Sequence, residues 1–272
     1  MLHLLSGRRH TGERQMRTLR PEVEPEVKMA DERTEAAQTA ERTGNRMLDV
    51  FLRECASLRS SLQPVSYDAG HVVHRQDKPM YHAYFPLTGS MAYTIGTRDG
   101  TSCEAMAVGN EGLLGIAIYF GLESSPYTVV QQIDGRAYRM PRAAFLESCR
   151  KFPALQDLMR RYAAYTIRFA QQTAACNTLH TLRQRACRWL LMVQDRAGSP
   201  QFELPQSILA DMLGVRRQSV SEVATELRRR GLIEYRRGVI TIANRRRLEA
   251  AACCECYGVM NGFYGRLLTQ AA

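Results

Sequence analysis

The segment LPQSILADMLGVRRQSVSEVATEL, from Leu204 to Leu227, constrains the fold more tightly than any other part of the chain. Ile208, Leu209, Met212 and Leu213 recur at helical spacing and so share one face of a short helix. Gly214 follows the last of them, where a glycine stops a helix by turning left-handed. Val220, Val223, Ala224 and Leu227 then repeat as i, i+3, i+4, i+7, which predicts a second helix. Arg217, Gln218, Ser221, Glu222 and Thr225 fall on its opposite face. An apolar stripe backing residue types that hydrogen-bond base edges is the pattern of a helix that reads a DNA major groove. A helical hairpin with a solvated face would share the periodicity, so the flanking segments decide between the two.

Those segments favour DNA. Leu232 to Tyr235 and Val239 to Ile242 read as two strands joined through Arg236-Arg237-Gly238, a β-hairpin with a glycine in its turn. Helix, turn, helix and hairpin in that order make a winged helix. Arg216, Arg217, Arg228, Arg229, Arg230, Arg236, Arg237, Arg245, Arg246 and Arg247 crowd the same region, as a phosphate-binding surface requires.

The 272 residues are 45% hydrophobic, enough for two packed domains, and carry a formal net charge of +10, which points to an anionic polymer or a membrane surface as partner. No apolar run is long enough to span a bilayer, and the arginine-rich beginning lacks the apolar stretch of a secretory signal. A cytoplasmic protein without a membrane partner is expected. Its eight cysteines should then be reduced. Cys253-Cys254-Glu255-Cys256 is their one cluster. It lacks C-x-x-C spacing and a neighbouring histidine in sequence, so buried or reduced thiols are favoured over a metal site.

Residues 1–44 alternate proline, glutamate and arginine with few large apolar side chains and read as a disordered tail, within which Met29, like Met47 just after it, is a candidate start. Met47, Leu48, Phe51, Leu52, Cys55 and Leu58 predict an amphipathic helix. From Val65 to Met140, short apolar runs alternate with glycines at turn-like intervals. The runs are Val72-Val73, Tyr81 to Phe85, Ser90 to Ile95, Glu104 to Val108, Tyr127 to Ile133 and Ala137 to Met140. Such spacing predicts a small antiparallel barrel or jelly roll. Tyr81, Phe85, Met91, Tyr119 and Phe120 are expected in its core. Pro153 to Cys176 predicts one long helix with Leu155, Leu158, Met159, Tyr162, Tyr165, Ile167 and Phe169 on its apolar surface. That is more than one barrel would cover, so self-association along it is expected. A second helix, from Leu182 to Asp195, leads into the winged helix. Leu248, Cys256, Tyr257, Met260, Phe263, Tyr264 and Leu267 are expected to dock a C-terminal helical tail.

In this order the parts resemble the Crp/Fnr family of bacterial transcription regulators over about Phe51 to Ile242. Gly70 through Asp77, Tyr84-Phe85 and Gly89 are similar to that family's β-roll signature, with Gln76 where a glycine is usual. Gln206 to Leu227 resembles its helix-turn-helix, with Arg216 in place of the serine or threonine that usually caps the recognition helix. The resemblance implies an α+β fold. A β-roll of jelly-roll type (residues 45–152) and a long dimerisation helix (153–178) precede a winged helix-turn-helix (179–247) and the tail (248–272). It further implies a homodimer that binds double-stranded DNA at a palindromic operator and is not an enzyme, with RNA polymerase as a further candidate partner. Base contacts are implied for Arg217, Gln218, Ser221 and Glu222, and the operator should differ from familiar ones because Glu222 stands where arginine is frequent. Arg216, Arg236 and Arg237 are assigned to the phosphates.

No cofactor is expected. In the resemblance, the ribose-binding glutamate of cyclic-nucleotide-responsive members falls on Ile116 and the phosphate-binding arginine near Pro126, and Ser124 to Thr128 offers no cation. Cys55 alone precedes the β-roll, too few thiols for an iron–sulfur cluster. His71, His74 and His82 are candidate haem ligands, although lone strand histidines are more often structural. Two other readings compete: a jelly-roll metal enzyme using those histidines and Glu104, and a scaffold whose β-roll serves dimerisation alone. His71 and His74 are three apart, which on one strand sends them to opposite faces.

Overall fold

The computed structural model describes residues 42–96, 102–252, 256–258, 262 and 265. The helix α1 (Arg46–Glu54) is followed by a 3-10 turn (Ala56–Ser61) and then β1 (Gln63–Tyr67), β2 (Val72–His74), β3 (His82–Pro86), β4 (Ser90–Gly96) and β5 (Ser102–Val108). Next come α2 (Ile116–Tyr119), β6 (Thr128–Ile133), β7 (Gly135–Pro141), α3 (Arg142–Lys151), α4 (Pro153–Leu179) and α5 (Leu182–Ala197). The chain continues through β8 (Gln201–Glu203), α6 (Gln206–Leu213), α7 (Arg217–Arg229), β9 (Ile233–Arg236), β10 (Val239–Ile242) and α8 (Arg245–Ala251). Among the described residues no helix is long and apolar enough to cross a membrane.

All strand pairs are antiparallel. The sheets run β1-β7-β3 and β2-β6-β4-β5, which together form the β-roll, and β8-β10-β9, which forms the wing. The expected α+β architecture is present. Two short strands, β1 and β8, carried too few alternating apolar residues to be read from sequence. The predicted long helix runs one turn further than expected, to Leu179.

Asn45 anchors the first helix. Its Oδ1 accepts from Leu48 N (2.8 Å) as an N-cap, and its Nδ2 donates to the carbonyls of Pro86 (2.7 Å) and Gly112 (2.8 Å). A fully buried amide is thereby satisfied, and α1 is tied to the roll. Thr43, which the sequence pattern places in the tail, bonds Asp49 through both its amide and its hydroxyl. Phe51 packs on Phe85 and Phe145, with ring centroids 5.5 and 5.8 Å away. Of the expected aromatic core, Phe85 and Met91 are buried, whereas Tyr81 is 65% and Phe120 62% exposed. Both lie at element ends, where side-chain direction does not follow strand alternation.

Helix α4 lays Leu155, Leu158, Met159, Tyr162, Tyr165 and Phe169 against its own roll, and all six are buried. The surplus apolar surface expected along it is therefore absent: Ile167 (59% exposed) and Leu179 are the large apolar side chains α4 leaves in solvent. The Tyr162 hydroxyl donates to Leu113 O at 2.9 Å and accepts from Leu113 N at 3.1 Å. A Cβ on Gly112 would lie 2.5 Å from that hydroxyl, so only glycine fits this approach.

The four-stranded sheet is buried on both faces. Met91, Tyr93, Met106 and Val108 point into the β-roll core, while Ala92, Ala107 and Ile133 join a second core with Trp189, Leu190 and Val193 of α5. The winged helix thus packs on the outside of the roll. Small residues at 92 and 107 let α5 approach closely.

Candidate nucleic-acid interface

Helices α6 and α7 meet at Gly214, whose φ of +63° makes it the left-handed C-cap expected from sequence. Behind α7, Val220 (1% exposed) and Leu227 are buried in the second core with Val223 half-buried against it, and Ala224 is buried on the same face. In front, Arg216, Arg217, Gln218, Glu222 and Thr225 are exposed. Arg216 is the N-cap of α7 and makes no side-chain cap bond, so the first turn keeps outward-facing N–H donors and no acidic residue. Gln218 Nε2 donates to Glu222 Oε1 at 3.2 Å, one turn on.

Ser221 is placed differently from its neighbours. It is half-buried, and its Oγ donates to Gln206 Oε1 at 2.6 Å, which ties the recognition helix to the first residue of α6. Nothing in the linear pattern marks Gln206 as its partner.

The wing turns through Arg237 (φ +49°) and Gly238 (φ +84°), the two left-handed residues that a two-residue hairpin requires. A non-glycine residue there costs about 1–2 kcal/mol, and it sets Arg236 and Arg237 at the exposed tip. Arg217, Arg228, Arg237, Gln206, Ser207 and Tyr235 line a cleft of about 450 Å³ between α7, the start of α6 and the wing. Tyr235 is fixed in it by donating to Leu204 O at 2.8 Å.

Two of the ten crowded arginines are committed elsewhere. Arg230 and Arg183 both reach Glu226 Oε1, at 2.7 and 2.8 Å. Arg245 bonds Asp195 at 2.8 Å, Glu249 at 2.9 Å and the Tyr257 hydroxyl at 2.6 Å. Sequence crowding overstated the basic surface because charge density says nothing about internal acids.

The histidines do not converge on a ligand set. His71 stacks on Tyr67 at 4.4 Å, while His74 is buried with its ring 5.5 Å from Tyr84. Glu104 is occupied, accepting from Trp189 Nε1 (2.8 Å) and from Gln132 Nε2. Among the described residues, the grouping of three potential metal ligands is Cys176, His180 and Cys256 instead. No histidine neighbours Cys256 along the sequence; the fold brings one from 76 positions away. The thiols of Cys149 and Cys187 are buried, and burial pushes them up to about 12 and about 11. Leu248 and Tyr257 pack on the winged helix as expected, whereas Met260, Phe263, Tyr264 and Leu267 lie outside the described residues.

Comparison with known proteins agrees with this architecture. The cyclic nucleotide-binding domain family matches residues 64–152, and the Crp-like helix-turn-helix domain family matches residues 184–251. A CRP-like cAMP-activated global transcriptional regulator of Mycobacterium tuberculosis is 23% identical over 206 residues, covering 72% of this chain and 91% of that protein. Among solved structures, FixK2 from Bradyrhizobium japonicum superposes with a TM-score of 0.61 at 18% identity, covering 71% of this chain and 98% of that one. A CRP-family transcriptional regulator from Thermus thermophilus superposes with a TM-score of 0.57 at 21% identity, covering 69% and 95%. With residues 64–152 matched by one family, residues 184–251 matched by the other and the long helix α4 between them, the chain carries the pair of domains that makes up a Crp/Fnr-type transcriptional regulator.

Proposed function

We propose that the protein is a homodimeric regulator that reads a palindromic operator through α7 and grips the flanking phosphates with its wing. The observation that carries this reading is the division of α7. Val220, Ala224 and Leu227 are buried behind it, while Arg217, Gln218 and Glu222 are exposed in front, Arg217 lining one cleft with Arg237 of the wing. Gln218 has the bidentate geometry for adenine, Arg217 for guanine or a phosphate, and Glu222 for a cytosine amine. Ser221, engaged by Gln206, contributes after a hydroxyl rotation or through water. Arg216, Arg236 and Arg237 supply sequence-independent attraction.

Dimerisation is supported by a seam on α4. Arg160, Ala164, Ile167, Gln171, Ala174 and Thr178 are all exposed and alternate by four and three, the period of a coiled coil. Its small residues favour close helix approach over a large apolar interface. A two-fold axis along α4 would set two recognition helices about 34 Å apart, one turn of DNA.

The sensor reading is that cyclic nucleotide does not control this protein. Ile116 and the exposed Pro126 stand where the resemblance requires an acid and a cation. The nearby ring of Tyr127 packs against Tyr93 with centroids 4.6 Å apart, placing aromatic bulk there instead. A cytoplasmic location and contact with RNA polymerase accord with this role.

The test is selection of binding sites from random duplexes, followed by footprinting. An enriched inverted repeat with protection in two successive major grooves is expected. An asymmetric site, or binding indifferent to sequence, would remove the reading. Calorimetry with cyclic AMP and cyclic GMP should show no micromolar binding.

A further inference from the structure

We propose that Cys176, His180 and Cys256 form a binding site for a zinc-class metal ion, closing the C-terminal segment onto the end of α4. Cys176 lies in the last turn of α4, and His180, four residues on, is the extended C-cap whose backbone N–H donates to Cys176 O, so the end of the helix holds the two close together. Cys256 comes from the segment beyond α8 and meets them there. One ligand atom from each residue lies within 4.8 Å of the others. Tetrahedral zinc with sulfur bonds of about 2.3 Å sets its sulfurs about 3.8 Å apart, so small side-chain rotations complete the geometry.

Three further features distinguish this cluster from a pair of thiols filling an apolar gap. Both cysteines are buried, Cys176 fully and Cys256 to 5% exposure. Gln172, one turn before Cys176, aims its Nε2 at both sulfurs, 2.9 Å from Cys256 and 3.5 Å from Cys176. A thiol is a poor acceptor and a thiolate a good one, so an amide shared by two sulfurs is the outer-shell partner that metal-bound thiolates attract. Nδ1 of His180 is buried and receives no hydrogen bond, which leaves it costly unless a ligand takes it. Two sulfurs and one imidazole suit zinc and its relatives rather than calcium or magnesium, which prefer oxygen.

The position gives the site a consequence. His180 lies in the joint between α4 and α5, where Thr181 begins a new capping box. Tyr257, next to Cys256, bonds Asp195 on α5 and Arg245 on α8. An ion at Cys256 would therefore clamp the connecting helix to the DNA-binding half through one short segment, and its loss would free that joint.

Zn(II) and Co(II) are the probes, added to the full-length, metal-stripped, reduced protein. One tightly held ion per chain is expected, with thiolate-to-cobalt charge-transfer absorption and a rise in Tm on zinc addition. His180→Ala should weaken binding at least tenfold and abolish most of that rise, while keeping the fold by circular dichroism. Gln172→Ala should weaken it by about 10- to 100-fold. Cys176→Ser should lose the charge-transfer intensity of one sulfur. If the variants at 176 and 180 hold the ion as tightly as the parent, it sits on other thiols and the proposal fails. It fails equally if no ion binds and oxidation instead gives a 176–256 disulfide by mass spectrometry. None of these readouts depends on DNA, so they stand apart from the operator reading.

Discussion

The indole of Trp189 donates to the carboxylate of Glu104 at 2.8 Å, joining α5 of the DNA-binding half to β5 of the β-roll. Glu104 also accepts from Gln132 Nε2, and the Gln132 carbonyl accepts from Ser90 at 2.7 Å. A line of polar groups thus runs through the small-residue interface made by Ala92 and Ala107. Trp189 is the single tryptophan of the chain, which makes its emission a reporter of this junction. Trp189→Phe removes one donor from a buried carboxylate and should cost about 1–3 kcal/mol, measured by urea unfolding followed by circular dichroism. Glu104→Gln should shift the emission maximum without unfolding the chain. An unchanged spectrum would mean that the two halves do not hold this contact in solution.

The same junction carries an ion pair. Arg196 lies 2.7 Å from Glu111 and also donates to Ala107 O at 2.9 Å. Burial pushes the Glu111 carboxyl up, but the neighbouring guanidinium and its hydrogen bonds more than offset this, and the carboxyl is held below its usual value of 4.5. A lowered folded pKa contributes stability above pH 4.5 that is lost as pH falls through the folded value. Unfolding free energy should therefore decline with acidification below about pH 4.5, with a shallower decline in Glu111→Gln. Glu111→Ala strands a buried guanidinium and should cost about 3–5 kcal/mol at neutral pH.

His74 predicts a separate, milder acid step. Burial and then the nearby His82 lower it from 6.5 to about 4. It is neutral in the fold and protonates more readily when unfolded. Its contribution is complete above pH 6.5 and is lost progressively down to about pH 4, amounting to about 3 kcal/mol at most. His74→Leu should flatten the stability profile in that window while leaving the step below pH 4.5 that belongs to Glu111. A profile unchanged between pH 6.5 and 4.5 would contradict the burial of this ring.

At the proposed DNA surface, two substitutions should behave differently. Gln218→Ala should relax base preference at one position of each half-site, with a loss of about 1–3 kcal/mol on the preferred base. Arg237→Ala should weaken binding to every duplex alike and reduce the salt slope by about one. Equal losses on all sequences for Gln218→Ala would remove it from direct readout.

Ile167→Glu places a charge on the exposed seam of α4, and light scattering should report a shift from dimer to monomer. Because Ile167 contacts solvent within one protomer, the Tm of the monomeric fold should change little. A dimer that survives the substitution would put the interface elsewhere.

Much of this architecture was legible because its signals are local. Helix periodicity at 153–176 and 208–227, the glycine stop at 214 and the Arg237-Gly238 turn each depend on residues within a few positions of one another. Burial behind α7 at Val220, Ala224 and Leu227 followed from the same spacing. The aromatic core was read less well, because Tyr81 and Phe120 sit where neither a 2 nor a 3.6 period applies.

By itself the sequence determined the order of elements, the recognition helix and its polar face, since backbone periodicity and turn chemistry act over a single helical turn or strand. Tertiary structure alone decided which charges remain for DNA, by pairing Arg230 with Glu226 and Arg245 with Asp195. It also decided that the four-stranded sheet is covered on both faces and that Arg196 meets Glu111, 85 positions away. Cys256 was likewise carried to Cys176 and His180 by the path of the chain. Such contacts depend on which surfaces pack together, and that is settled by the burial of whole faces rather than by the spacing of residues along any one of them.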